Sequence, residues 1–169
     1  FAVVYWRSLG NALPFEEWLS GSIRFLSGQQ QATMPEGPDA RLGLLLDLMR
    51  AQRCLVVLDN WETVLEPGEP LASYRKGFAG YGMLLQRLAA VSHQSLLVIT
   101  SREKPPELAP LEDEQSVVRS LRLSGLGEAE SRALLQSRQL AGGNDSWQAL
   151  VARYLSLIHI SEPTRQAEI

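Results

Sequence analysis

The chain has 169 residues, 45% of them apolar, and a net charge of −3, so it can bury the core of one ordinary domain. With a pI near 5.5 and no run of Lys or Arg, it lacks the phosphate-neutralising surface of a non-specific nucleic-acid binder. Its single cysteine, Cys54, provides neither a disulfide framework nor a thiolate metal site and suits a reducing cytoplasm, and no stretch approaches the roughly 20 apolar residues of a membrane helix.

FAVVYWRSL, residues 1–9, is β-branched and aromatic throughout and predicts a strand buried on both faces, as in a parallel α/β sheet. The chain starts at Phe1 inside this strand, which leads to the expectation of a fragment whose natural start lies upstream. After Asn11, a candidate cap, and Pro14, the spacing of Phe15, Trp18, Leu19, Ile23 and Leu26 predicts an amphipathic helix. A polar loop over 27–38 leads to Asp39, a candidate cap for a helix carrying Leu42, Leu45, Leu46 and Met49.

CLVVLD, residues 54–59, predicts a second buried strand. The stretch from there to Gly82 is too long and too rich in Gly and Pro for a plain turn, and long ordered loops are usually functional. A helix over 83–92 with Leu84, Leu85 and Leu88 leads to SLLVITSRE, an apolar strand ending in Thr100, Ser101 and Arg102. Pro105, Pro106 and Pro110 stiffen the next loop, VVRSLRL (117–123) alternates like an edge strand, and 124–141 reads as a helix stopped by Gly142-Gly143. A shorter helix starts near Asp145. Trp6, Trp18 and Trp147 fall on apolar faces and read as core.

The last 15 residues change character. LSLIHISEPTR, from Leu155, matches the translation of a transposase adapter used in sequencing libraries, so 155–169 is expected to be an artefactual tail and 1–154 the natural sequence. No role is assigned to His159 or its neighbours.

Two buried strands thus end on polar groups, and in an open α/β sheet the carboxyl ends of the strands face the ligand crevice. A carboxylate there suits Mg2+, which keeps several waters and takes one or two protein oxygens. Asp59 fits that part, and Arg102 on a neighbouring strand tip could contact a terminal phosphate. The competing reading of Asp59 is a cap of the following turn. Asn60 stands where many hydrolases of this architecture place a second acid, and an amide cannot act as general base, so rapid hydrolysis is not expected. Glu62 could polarise a water or simply be solvated. Tyr74, Arg75 and Tyr81 in the long loop could stack on a base or anchor a neighbouring domain. His93 reads as a helix-end partner without a nucleophile beside it.

In four segments, in order, residues 1–154 resemble the NB-ARC ATPases of the STAND class, particularly bacterial signalling proteins in which this module precedes repeat domains. FAVVYWRSL is similar to the strand after the phosphate-binding helix, CLVVLDN to the magnesium-binding strand, SLLVITSRE to the sensor strand, and LRLSGLGEAESRALL to the strand and helix closing the nucleotide core. The resemblance implies an α/β fold, a parallel ASCE-type P-loop NTPase sheet flanked by helices. It implies Mg2+ on Asp59, a terminal-phosphate contact by Arg102, catalytic roles for both Asp59 and Arg102, and ADP or ATP bound by these two together with Asn60, Thr100 and Ser101. It further implies a cytoplasmic signal-transduction switch that hydrolyses slowly or not at all and assembles an ATP-dependent homo-oligomer, with further domains or repeats as partners and neither membrane nor direct nucleic acid.

The departures are specific. There is no GxxxxGK[ST], and Lys76 and Lys104, the only lysines, lie in YRKG and REKP, which cannot cradle phosphates with consecutive amides. The GxP motif expected just after Tyr154 is replaced by the tail. The expectation is therefore an incomplete sheet whose central strand, between the sensor strand and 117–123, is missing, and a chain that is poorly soluble alone. The rival readings are a nucleotide-free interaction scaffold and an efficient AAA-like ATPase.

Overall fold

The computed structural model describes residues 1–29, 33–68, 73–113, 116–123, 128–138, 143 and 146. The chain divides into two units, Phe1–Ser120 and Leu121–Ile169. Of the second, the described secondary structure is one helix, α5 (Glu128–Ser137), inside the stretch where a helix was expected. The expected helix near Asp145, with Trp147, and the tail 155–169 lie outside the described residues.

In the first unit the three apolar runs form β1 (Val3–Ser8), β2 (Cys54–Asp59) and β3 (Leu96–Ile99). All are parallel, in the order β1-β2-β3, with Val4 opposite Leu55 and Leu55 opposite Leu96. Parallel neighbours need crossovers, and helices supply them: α1 (Phe15–Leu26) and α2 (Pro38–Ala51) between β1 and β2, and α3 (Gly80–Ala90) between β2 and β3. The coarse α/β expectation holds. A short further turn, α4 (Leu108–Leu111), lies within the Pro-rich segment after β3. Among the described residues no helix is long and apolar enough to cross a membrane.

The helix starts depart from the caps read in the sequence. Neither Asn11 nor Asp39 caps a helix: α1 begins after Pro14, and α2 after Gly37, whose φ of 80° a side chain would resist, followed by Pro38 in the first turn. Asp39 lies one residue inside α2 and pairs with Arg87 at 3.4 Å. α3 starts three residues before the expected point. Gly80 and Gly82 look like helix breakers, but they are sites of close approach. A Cβ at Gly80 would lie 2.2 Å from the Phe15 ring, and one at Gly82 would lie 2.3 Å from Glu107 Oε1.

The core lies between one face of the sheet and the helices. Cys54, Val56 and Leu58 of β2 pack there with Trp18, Leu19 and Ile23 of α1, Leu42, Leu45 and Met49 of α2, and Leu84 and Leu85 of α3. Trp61 and Tyr81 close it, their rings edge-to-face at 5.3 Å, with Tyr81 also edge-on to Phe15 at 5.1 Å; such pairs add about 0.5–1.5 kcal/mol each beyond burial. The long segment after β2 is thus partly structural. Trp61–Val64 forms a 3-10 turn, Trp61, Val64 and Leu65 are buried, and Leu65 bridges to Tyr74.

The opposite face of the sheet is uncovered. Val4 (57% exposed), Trp6 (59%), Leu96 (47%) and Val98 (37%) lie on it in two rows completed by Leu55 and Val57. This corrects the reading of β1 as buried on both faces and of Trp6 as core. The helices cover a single side, and Trp6 alternates away from it. No strand forms over 117–123 either: Val117, Leu121 and Leu123 are 69–89% exposed, and no described segment pairs with the outer edge of β3. An alternating pattern supplies faces but no ladder, and without a partner edge the segment stays irregular.

Candidate functional site

Along the open face the two apolar rows end in a polar one at the carboxyl ends of the strands. Ser8 is opposite Asp59 in the ladder, and Thr100 continues β3 beside it, its N–H bonded to Leu58 O at 3.0 Å. The Thr100 hydroxyl donates to Asp59 Oδ1. Thr100 Oγ1 also accepts the Asn60 N–H at 3.2 Å, while Thr100 O accepts the Trp61 N–H at 2.9 Å.

The chain leaves β2 by a sharp turn at Asn60, which takes the left-handed conformation (φ 62°, ψ 47°) that asparagine tolerates better than most residues. The Asn60 side-chain oxygen accepts from Ser8 Oγ at 3.0 Å, and Ser8 Oγ accepts the Gly10 N–H at 3.2 Å. Thr63 Oγ1, one helical turn on, lies 2.5 Å from Leu9 O and 2.9 Å from Asn60 O. The side chains of Ser8, Asp59, Asn60, Thr63 and Thr100 therefore cross-tie the tips of β1, β2 and β3.

Beyond this row Glu62 and Arg102 form an ion pair. Arg102 Nε donates to Glu62 Oε1 at 2.9 Å, and the Arg102 backbone N–H donates to Glu62 Oε2 at 3.4 Å. The Glu62 side chain is 11% exposed and that of Arg102 56%. Ser101, also predicted for the site, sits on the exposed bend between them, where its hydroxyl accepts the Glu103 N–H at 3.3 Å.

Of the predicted site residues, Asp59, Asn60 and Thr100 are in direct hydrogen-bonded contact, Arg102 is held by Glu62, and Ser101 bonds within its own loop. Sequence reading missed Ser8 and Thr63. Ser8 carries the same signal as Asp59, a polar residue ending an apolar strand; Thr63 carries none, because its role depends on the turn at Asn60. The reading of Tyr81 as a contact for a base or a neighbouring domain is corrected by its burial, while Tyr74 and Arg75 stay partly accessible. Tyr81 is fully buried and donates to Leu13 O at 2.9 Å; Tyr74 is half-buried and donates to Glu107 Oε2 at 2.8 Å. Burial raises the pKa of both phenols, and the Glu107 carboxylate raises that of Tyr74 further.

The oxygen donors at the strand tips, a carboxylate with neighbouring hydroxyls and an amide, match the hard ligands that Mg2+ takes, and one carboxylate suffices for an ion that keeps its waters. Among the described residues no group of three or more His, Cys, Asp or Glu converges as a protein-only metal cage.

The chain is 47% identical over 152 residues to an uncharacterized WD repeat-containing protein of Nostoc sp. (strain PCC 7120). That match covers 89% of this chain and 12% of the relative, so the chain spans about an eighth of that protein's length. No family model matches the chain, and no solved structure matches it.

Proposed function

We propose that the chain is part of an ADP/ATP-operated switch that binds Mg-nucleotide at the carboxyl ends of β2 and β3 and hydrolyses it slowly or not at all. The observation that carries this reading is the polar row Ser8–Asp59–Thr100 at the strand tips, with Arg102 two residues beyond it. Asp59 holds the metal through its carboxylate. Thr100 donates to that carboxylate and fixes its rotamer, and Arg102 meets the terminal phosphate. Asn60, an amide bonded to Ser8, has no basic function to offer a hydrolytic water, which argues against an efficient AAA-like ATPase. Bound Mg2+ would neutralise phosphate charge.

The uncovered face, and an outer edge of β3 with which no described segment pairs, support the finer fold reading, an incomplete P-loop NTPase sheet lacking the strand and phosphate loop that would adjoin β3. Purely parallel sheets are normally covered on both faces. The switch would act in the cytoplasm, with repeat domains of the same polypeptide as its partners, as the WD-repeat relative suggests, and with ATP-dependent self-assembly as its output. Population shift between states then depends on the difference in affinity for ADP and ATP.

The test is nucleotide binding by the full-length protein that carries this segment. Asp59→Ala should weaken Mg-dependent nucleotide affinity at least about ten-fold, the scale of losing one charge-assisted contact, while leaving the metal-independent component intact. Equal affinity in the wild type and the variant would refute the site. The second reading, a nucleotide-free interaction scaffold, draws on the exposed apolar face and the WD-repeat relative. It predicts no nucleotide binding in either protein.

A further inference from the structure

We infer that Glu62 is the positioning residue for Arg102, presetting the guanidinium for the terminal phosphate and thereby setting the preference for ATP over ADP. This rests on the reading of Arg102 as the phosphate contact and extends it to how that contact is held.

Glu62 belongs to a turn that is anchored on both sides at the strand tips. The preceding Trp61 is fully buried, and its N–H bonds Thr100 O at 2.9 Å; the following Thr63 reaches Leu9 O at 2.5 Å. The turn is therefore fastened to β1 and β3 while it continues from β2. Both Glu62 oxygens address one residue: Oε1 takes Nε of Arg102 and Oε2 its backbone N–H. This two-point grip fixes the course of the chain leaving β3 and the plane of the guanidinium together. With its side chain 11% exposed, Glu62 is also the more shielded partner. Withdrawing Arg102 would strand a shielded carboxylate, so the pair is expected to persist when an anion arrives.

The chemistry follows from the guanidinium's shape. It presents five N–H donors in a planar fork, and the contact through Nε sets the orientation of that fork. An unrestrained arginine would lose much rotamer freedom on meeting a phosphate, and one already held loses less. Because Glu62 lies three residues after Asp59 and Arg102 two after Thr100, the same turn keeps the metal carboxylate and the phosphate contact in fixed relation. ADP lacks the phosphate that Arg102 would meet, so the gain falls on ATP alone.

The experiment is titration of the full-length protein with Mg-ATP and Mg-ADP, by calorimetry, for the wild type, Arg102→Ala, Glu62→Ala and the nearly isosteric Glu62→Gln. Arg102→Ala should abolish the preference for ATP. Glu62→Ala should lower the ATP-to-ADP affinity ratio about three- to ten-fold, the scale of immobilising one long side chain, with ADP affinity unchanged and Glu62→Gln between it and the wild type. If both Glu62 variants keep the wild-type ratio while Arg102→Ala loses it, the positioning role is overturned and the nucleotide site stands. If Arg102→Ala also keeps the ratio, the phosphate contact itself is wrong and this inference falls with it. Glu62→Gln preserves volume and one acceptor, so an unfolded Glu62→Ala protein would leave the ratio measurable.

Discussion

On one face of the sheet Cys54, Val56 and Leu58 are at most 3% exposed beneath the helices, while on the other Val4, Trp6, Leu96 and Val98 are 37–59% exposed. Both faces are built from the same apolar residue types, on the same three strands. What separates them is the helical layer. Burial is a property of the side on which the crossovers α1, α2 and α3 lie, and nothing in the composition of a single strand encodes that side.

The comparison is tested most severely by paired truncations. Leu58→Ala, on the covered face, should cost about 2–5 kcal/mol, whereas Trp6→Ala, although it removes a far larger side chain, should change stability by no more than about 0.5 kcal/mol. Denaturant unfolding of the two variants measures both. If Trp6→Ala proves the costlier, the open face is packed in solution. The same Trp6 substitution should raise solubility, since it shrinks an exposed apolar surface.

A smaller effect contrasts two helical glycines. Gly80→Ala drives a methyl into the Phe15 ring and should destabilise by about 1–3 kcal/mol, whereas Gly43→Ala in α2 meets nothing within 4 Å and should stabilise by about 0.5–1 kcal/mol. Opposite signs in thermal melts would bear out the close approach of α1 and α3, and equal signs would contradict it.

The smallest effect at neutral pH concerns the phenols. Tyr74 and Tyr81 have folded-state pKa values above the ordinary phenol value, chiefly through burial. Their contribution is fully present below about pH 10, where the unfolded chain also keeps its phenols neutral. It is lost as pH rises through and beyond that value, because the unfolded chain ionises first. Alkaline unfolding should therefore set in above about pH 10, and Tyr74→Phe should flatten the slope. An unchanged slope would show that Tyr74 is not shielded.

The position of several candidate residues was legible in the chain. Asp59 and Thr100 stand out because a polar residue at the end of an apolar strand has a predictable place in a parallel sheet. Glu62 was harder: as a loop glutamate it reads as solvated, and only the 3-10 turn brings its carboxylate against Arg102. Tyr81 was misread for a related reason. Its loop-like setting, GFAGYG, contains glycines that look like breakers but permit α3 to start early and carry the ring into the core.

The periodicity of apolar residues determined by itself that β1, β2 and β3 are strands, that α1, α2 and α3 present apolar stripes, and that polar groups terminate two of the strands. These are local consequences of side-chain alternation and helical repeat. Only the tertiary structure decided which sheet face is covered, that 117–123 forms no strand, and that Glu62 grips Arg102, because each depends on a partner distant in sequence. A hydrogen-bonding edge or an opposite charge leaves no trace in the segment that needs it.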